Sequence, residues 1–211
     1  MEHFVDIHTH NPLELNLGVR NYRLGVDATP PTEPFSAGIH PWDVEGLPDT
    51  ERLLADLENI NCLAIGEIGL DKACASSFAL QQEIFERQLE FAARRNLPVI
   101  VHCVKSNAEV VATLAHYPIR AVVFHGFIGS TEQAEQIWKA GYYTSFGFGA
   151  LRSPKTLLTI KACPIDRLFL ETDDSKISIT ALYKEVAHLR NVSIESLKND
   201  IYNNYKRIFN R

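Results

Sequence analysis

Potential metal ligands stand at the ends of short apolar runs that are widely separated along this chain. The runs, with the polar residues that close them, cover residues 5–8, 63–67, 98–102, 121–125 and 167–173. Continuous rather than alternating hydrophobicity is typical of parallel strands, which are covered on both faces. A parallel barrel brings the carboxyl ends of its strands to one rim. The pattern therefore predicts that the following residues converge there: His8, His10, Glu67, His102, His125 and Asp173.

Segments with helical spacing separate these runs. The spacing predicts helices near residues 49–59, 77–95, 105–116, 131–141, 153–161, 178–190 and 193–209, and a further strand over residues 142–146. Regular alternation of strand and helix indicates an α/β protein. We expect a single domain over residues 1–211 with a TIM-like (β/α)8 barrel, although about 250 residues are typical of that fold.

The first third of the chain is irregular. Residues 11–34 contain Asn11-Pro12, Pro30-Pro31 and Pro34, and no stretch there sustains an apolar helical stripe. We predict a loop, a strand near residues 22–26, a second loop, and a third strand over residues 35–40. The barrel should therefore be abbreviated near its first β/α unit, where the crossover helix is missing.

Charge and cysteine usage restrict the function classes. The formal net charge of −5 excludes a protein that coats long nucleic acid by neutralising phosphates. The chain enters its first strand directly after Met1-Glu2-His3-Phe4, and its four cysteines show no CxxC spacing. We expect a soluble cytoplasmic protein with reduced thiols, no membrane association and no obligate protein partner.

The six ligands suit a site with two divalent ions. His8 and His10 are two apart on a strand end and point the same way. Glu67 can bridge two ions, because each carboxylate oxygen can take one. His102 and His125 would hold the second ion, and Asp173 would complete the first and accept a proton from the attacking water.

The charge of such a site favours a phosphodiester. Two divalent ions contribute a charge of about +4, two carboxylates contribute −2, and ligating imidazoles are neutral, so the net charge of the site is about +2. We expect attack of a metal-bridging hydroxide on phosphorus, with Mg²⁺, Mn²⁺ or Zn²⁺ as the ion. His40, Lys105 and Arg152 are candidates for contact with the substrate, and Asp71 for ordering its loop or a nearby ligand by hydrogen bonding.

The motifs in order resemble those of the TatD family of metal-dependent hydrolases. The matching strings are Asp6-Ile7-His8-Thr9-His10, Gly38-Ile39-His40-Pro41, Gly66-Glu67-Ile68-Gly69-Leu70-Asp71, Val101-His102, Phe124-His125-Gly126-Phe127 and Glu171-Thr172-Asp173. The resemblance covers nearly the whole chain. It implies a divalent-metal-dependent deoxyribonuclease that acts from a strand end.

The chain departs from the family pattern around the predicted ligands. The stretch between His10 and Gly38 is about half the usual length. Val104 stands where relatives commonly have an arginine, and Lys105 comes next in the chain. Lys72 stands where they commonly have an aromatic residue. Asp174-Ser175 replaces a small residue followed by proline. The substrate, whether DNA or another phosphodiester, is therefore less well defined than the metal ligands.

Two other functions are compatible with the same residues. One is an amidohydrolase-type hydrolase of a small amide, ester or phosphotriester, because a metal pair also polarises a carbonyl. The place of a bridging carbamylated lysine is taken here by Glu67. The other is a non-catalytic barrel that binds a partner, which predicts the loss of a ligand, and none of the six is lost.

Overall fold

Eight strands form one sheet in chain order. A computed structural model describes residues 4–13, 16–47 and 49–209. The strands are β1 (Val5–Thr9), β2 (Leu17–Arg23), β3 (Phe35–Gly38), β4 (Ala64–Asp71), β5 (Val99–Val104), β6 (Val122–Phe124), β7 (Tyr143–Phe146) and β8 (Leu168–Leu170). The pairs β1–β2, β3–β4, β4–β5, β6–β7 and β7–β8 are parallel. A parallel bridge between Thr9 and Asp173 joins β1 to the segment after β8.

Helices follow the strands from β3 onward. They are α1 (Thr50–Asp56), α2 (Phe78–Arg95), α3 (Asn107–Leu114), α4 (Thr131–Lys139), α5 (Pro154–Ala162), α6 (Ile179–Arg190) and α7 (Ile194–Phe209). Short 3₁₀ turns cover Leu57–Asn59, Ala150–Arg152 and Ile165–Arg167. The expected TIM-like (β/α)8 fold is confirmed. The abbreviation is confirmed as well, because residues 10–13, residue 16 and residues 24–34 contain no helix.

The ends of several helices follow from local chemistry. Ser130 and Gln133 form a capping box at the start of α4, in which each side chain accepts a hydrogen bond from the other residue's amide. Asn96 ends α2 in the left-handed conformation, with φ of 53°, and Asn191 ends α6 in the same way. These signals explain why the predicted bounds of α2 and α6 agree with the structure to within one residue.

The second strand does not lie where the sequence pattern placed it. It covers Leu17–Arg23 rather than residues 22–26, so that prediction was wrong. A Cβ at Gly18 would lie 2.0 Å from the carbonyl oxygen of Asp6, so glycine permits the close approach of β2 to β1. Gly25, at φ of 85°, turns the chain away soon after the strand ends.

Smaller differences concern three other elements. The third strand ends at Gly38 and leaves His40 outside it. The helix predicted over residues 49–59 divides into α1 and a 3₁₀ turn, while α3 begins two residues later than predicted, at Asn107. Strand β4 runs on to Asp71, which places Glu67 within the strand rather than at its end.

The chain comprises two compact units, and each contains fully buried apolar side chains. The first contains Met1–Arg20 and Val123–Arg211, and the second contains Asn21–Val122. Fully buried side chains in the first include Ile7, Phe124, Phe146, Phe169 and Tyr183, and in the second Ile39, Ile65, Ile68, Phe85 and Leu89. The expectation of a single domain stays a prediction. Among the described residues, no helix has the length and apolar character needed to cross a membrane.

Candidate functional site

Four of the predicted ligands lie together in the first unit. His8 is on β1, and His10, His125 and Asp173 follow β1, β6 and β8. Asp173 Oδ1 lies 3.7 Å from His8 Nε2 and 3.5 Å from His10 Nε2. The rings of His8 and His125 are 4.3 Å apart between centroids, and donor atoms of His8, His125 and Asp173 all fall within 4.8 Å of one another. This spacing fits a bound cation.

Backbone hydrogen bonds hold Asp173 beside β1. Its amide donates to the His8 carbonyl at 3.0 Å, and its carbonyl accepts from the His10 amide at 3.1 Å. Asp173 adopts φ of 53°, a conformation that aspartate tolerates better than most residues. The parallel register therefore delivers an imidazole pair and a carboxylate to the same point.

Glu171 orients His125 and was not among the predicted site residues. Its Oε1 accepts from the Gly126 amide at 2.6 Å and lies 3.3 Å from His125 Nδ1. Burial by itself would raise the pKa of Glu171, but the imidazoles of His125 and His8 outweigh burial and lower the pKa. The ionised carboxylate holds a proton on Nδ1 and leaves the Nε2 lone pair of His125 for a metal.

Hydrogen bonds of Asp6 connect β1 to the segment that carries Asp173. Its two carboxylate oxygens accept from the amide of Thr172 at 2.9 Å and from its hydroxyl at 2.7 Å. Burial raises the pKa of Asp6 to about 7, and the negative charge of Glu171 adds to the effect. Sequence reasoning also missed Asp6, although an acid inside an apolar strand is a signal that it has a specific partner.

The remaining predicted ligands lie in the second unit with a third residue, His40. Glu67 Oε1 is 2.7 Å from His102 Nδ1 and 3.0 Å from His40 Nε2, and all three side chains are buried. Their potential metal-ligand atoms fall within 4.8 Å of one another. The two clusters of potential ligands are called donor groups below, one formed by His8, His10, His125 and Asp173 and the other by His40, Glu67 and His102. Asn21 positions Glu67, because it accepts from the Glu67 amide at 3.0 Å and donates to Oε2 at 3.4 Å.

His102 is oriented by Asp71, at the end of the neighbouring strand. Asp71 Oδ2 lies 3.1 Å from His102 Nε2 and accepts from the indole of Trp42 at 2.7 Å. Burial alone would raise the pKa of Asp71, but hydrogen bonds, led by that of Trp42, outweigh burial and lower the pKa. His102 thus has a carboxylate at each ring nitrogen. With Nε2 protonated toward Asp71, Nδ1 would be left to bind a metal ion beside Glu67.

His40 is buried beside Glu67 and His102 rather than exposed to solvent. Its Nδ1 accepts from the Trp42 amide at 3.1 Å, so in the neutral ring Nε2 carries the proton and donates to Glu67. Burial lowers the pKa of His40, which favours this neutral form. The geometry suits a residue that orients Glu67. Contact of His40 with a substrate phosphate stays a prediction.

The candidate phosphate-binding cations differ in their surroundings. Arg152 is exposed on a 3₁₀ turn and lines a cavity that Asp173 also lines. Lys105 is exposed after β5, at φ of 53°. Lys72, which follows β4, forms an ion pair with Glu109 instead. Of these cations, Arg152 has the surroundings that best suit a substrate contact.

Both donor groups fit divalent metal ions. The first combines imidazole nitrogens with a carboxylate, and the second combines the imidazole of His102 with the carboxylate of Glu67. Zinc and other borderline ions accept both kinds of ligand. In each group the remote nitrogen of one histidine faces a second carboxylate, an arrangement common among metal-ligating histidines. The donor chemistry thus agrees with metal binding in both units.

Comparison with known proteins identifies the family. A family profile described as TatD related DNase matches residues 29–210. An uncharacterized metal-dependent hydrolase of Haemophilus influenzae is 30% identical over 83% of this chain and 76% of that protein. The human deoxyribonuclease TATDN3 is 28% identical over 76% of this chain and 68% of that protein.

Solved structures give the same result. The crystal structure of the TatD homologue YJJV of Escherichia coli aligns with a TM-score of 0.85 and 26% identity, covering 99% of this chain and 98% of the other. A TatD family hydrolase of Entamoeba histolytica aligns with a TM-score of 0.81 at 17% identity, which supports the fold. The chain therefore belongs to the TatD family of metal-dependent hydrolases.

Proposed function

We propose that this protein is a divalent-metal-dependent phosphodiesterase that cleaves DNA from a strand end. The observation that carries the proposal is the pairing of His102 with Asp71 and of His125 with Glu171. These carboxylates leave one lone pair on each ring for a metal ion. The deoxyribonuclease names of some relatives support the choice of substrate.

The proposed ligands are the six residues that the sequence pattern selected. In the first unit they are His8, His10, His125 and Asp173, so His125 is proposed for the same ion as His8 and Asp173 rather than for the ion of His102. In the second unit they are Glu67 and His102, with His40 donating to Glu67. Bound divalent ions would supply Lewis acidity and lower the pKa of a water molecule. The number of ions and the bridging role of Glu67 stay predictions.

Asp173 is the proposed proton acceptor. Its side chain is 42% exposed, so a water molecule can reach it, whereas Glu171 is fully buried and engaged with His125. Arg152, on the cavity that Asp173 lines, is the proposed partner of a substrate phosphate, since a guanidinium can bind two phosphate oxygens at once.

A cleavage assay with matched variants tests the proposal. The purified chain, loaded in turn with Mg²⁺, Mn²⁺ or Zn²⁺, is given end-labelled single- and double-stranded oligonucleotides, and small carboxylic esters in parallel. We expect labelled DNA to be shortened from an end. Glu67→Ala and Asp173→Ala should each reduce the rate by about two orders of magnitude or more, because metal catalysis contributes several kcal/mol.

A control variant separates loss of ligands from loss of fold. Glu132→Ala removes an exposed carboxylate from the first turn of α4, outside both donor groups, and should leave cleavage unchanged. Circular dichroism checks that all variants are folded. Hydrolysis of small esters without cleavage of any oligonucleotide would overturn the nuclease assignment in favour of an amidohydrolase-type activity. Inactivity toward both classes would favour a non-catalytic barrel.

A further inference from the structure

A cavity of about 380 Å³ in the first unit lies beside Asp173. The loops after β6, β7 and β8 line it, and they contribute Ile128, Phe148 and Ile177 respectively. Arg152 adds a guanidinium at the same cavity. Its volume is near the lower end of the range for small-molecule pockets, which suits one compact group rather than an extended ligand.

The apolar wall of this cavity is exposed. The residues Ile128 and Ile177 are 57% and 50% exposed, and Phe148 is half-buried. Large apolar side chains that converge on one cavity while remaining open to solvent mark a binding site more often than they mark a structural core. The fold itself therefore leaves this wall available for a ligand.

Local hydrogen bonds fix the loops that carry the wall. The amides of Ala150 and Arg152 donate to the carbonyls of Gly147 and Gly149 at 3.1 and 3.2 Å, so Phe148 belongs to a turned segment. Ala150, which is buried, anchors that segment. Because the backbone that carries Phe148 is held in advance, little backbone entropy is lost when a ligand contacts the ring.

The loop after β8 is fixed in the same way. The Ser175 amide donates to the Thr172 carbonyl at 2.9 Å, and the Ile177 amide donates to the Ser175 hydroxyl at 3.2 Å. Asn11 also donates to the Ser175 carbonyl at 3.2 Å. The fold therefore fixes the backbone that carries Ile177 at the cavity.

We propose that this cavity binds the base of the terminal nucleotide of the strand being cleaved, with Phe148 as the stacking surface. The proposal rests on the proposed nuclease function. An aromatic ring offers a surface on which any base stacks. Arg152 can pair with the phosphate attached to that nucleotide, while Asp173, one of the three acids that line the same cavity, is a proposed metal ligand. A cavity of about 380 Å³ suits one base rather than a base pair, so the terminal nucleotide enters unpaired.

An oligonucleotide whose terminal residue lacks a base tests this assignment without altering the protein. Two labelled strands of the same length are compared, one complete and one with an abasic residue at the cleaved end, and each end of the strand is tried. We expect wild-type kcat/KM to fall about tenfold or more on the abasic strand, since the loss of one stacked base is typically of that size.

A substitution completes a double-mutant cycle. Phe148→Ala should reduce kcat/KM on the complete strand by a similar factor and cause no further loss on the abasic strand, because the two changes remove the same contact. Phe148→Trp should restore cleavage of the complete strand. Leu158→Ala, which removes an exposed apolar side chain of α5 outside the cavity, should have no effect.

The outcomes separate the subsite from the nuclease function. Equal cleavage of complete and abasic strands by wild type, with Phe148→Ala matching wild type, would overturn the base subsite and leave the nuclease function standing. Additive losses in the cycle would also overturn it, since they would assign the two effects to different contacts. Failure of the metal-loaded wild type to cleave either strand would overturn both proposals.

Discussion

His102 and His125 present opposite ring nitrogens to their donor groups. Asp71 contacts Nε2 of His102, whereas Glu171 contacts Nδ1 of His125. A carboxylate at the nitrogen remote from the metal favours the ligating tautomer and increases the basicity of the ligating nitrogen. The affinity for metal should depend on these two acids as well as on the ligands themselves.

Removing the charge of Asp71 tests this dependence. We expect Asp71→Asn to weaken metal binding about 10- to 100-fold while the protein stays folded, because the variant loses the carboxylate that polarises His102. Competition with a chromophoric chelator measures the affinity. Glu109→Gln, which changes an exposed carboxylate paired with Lys72, is the control. Equal affinities for wild type and Asp71→Asn would contradict the assigned role.

Trp42 contacts Asp71, which orients His102, and His40, which orients Glu67. Its indole N–H donates to Asp71, its amide donates to His40, and its side chain is 55% exposed. Trp42→Phe keeps an aromatic ring but removes the indole donor, so we expect metal affinity to fall by less than it does in Asp71→Asn. Nitrogen-15 NMR of the imidazoles should show a reduced preference of the His102 proton for Nε2.

A second tryptophan provides a matched control. Trp138 donates its indole N–H to the Thr144 hydroxyl at 3.0 Å, away from any donor group. Trp138→Phe should therefore leave both metal affinity and the His102 tautomer unchanged. Should Trp42→Phe bind metal as tightly as this control, the indole would have no positioning role.

At the scale of elements, β1 and β2 approach each other through a glycine. An added Cβ at Gly18 would meet the Asp6 carbonyl at 2.0 Å, and the backbone on both sides is in paired strands. We expect Gly18→Ala to lower the free energy of unfolding by roughly 1–3 kcal/mol, the usual range for overpacking. Urea denaturation followed by circular dichroism measures the change.

Another glycine supplies the comparison for this variant. A Cβ at Gly46 would have its nearest neighbour at 3.7 Å, so Gly46→Ala should change stability by less than about 1 kcal/mol. A stability of Gly18→Ala equal to that of Gly46→Ala would show that β1 and β2 separate at little cost, contrary to the close pairing described above.

Strands and ligands could be predicted where their signal is local. The apolar runs before His102 and His125 and the helical spacing of α2 are visible within a few residues, and the structure agrees with them. The position of β2 could not be predicted, because Gly18 is favourable only in contact with β1. Glu171 was missed for a similar reason, since its role depends on His125, 46 positions away in sequence.

At the scale of the whole molecule, the net charge of −5 opposes general attraction of DNA. Binding of an oligonucleotide should depend on a few local contacts, with Arg152 and Lys105 as the proposed cations. We expect the slope of log K against log salt to lie between about −1 and −2 for a single strand, because about two phosphates are neutralised.

Fluorescence polarisation of a labelled single strand over a range of salt concentrations gives this slope. Arg152→Gln should reduce its magnitude by about 0.7, the contribution of one phosphate contact. A slope steeper than about −4 would indicate many phosphate contacts and would contradict local recognition at a strand end.

A metal requirement follows from the proposal that donor groups in both units hold the divalent ions with which phosphodiester bonds are cleaved. Its most direct test is the rate of cleavage of an end-labelled oligonucleotide by metal-stripped protein during titration with one divalent ion. We predict negligible cleavage without metal and activity that rises to a plateau at two equivalents. Full activity in the metal-free protein would contradict the metal requirement.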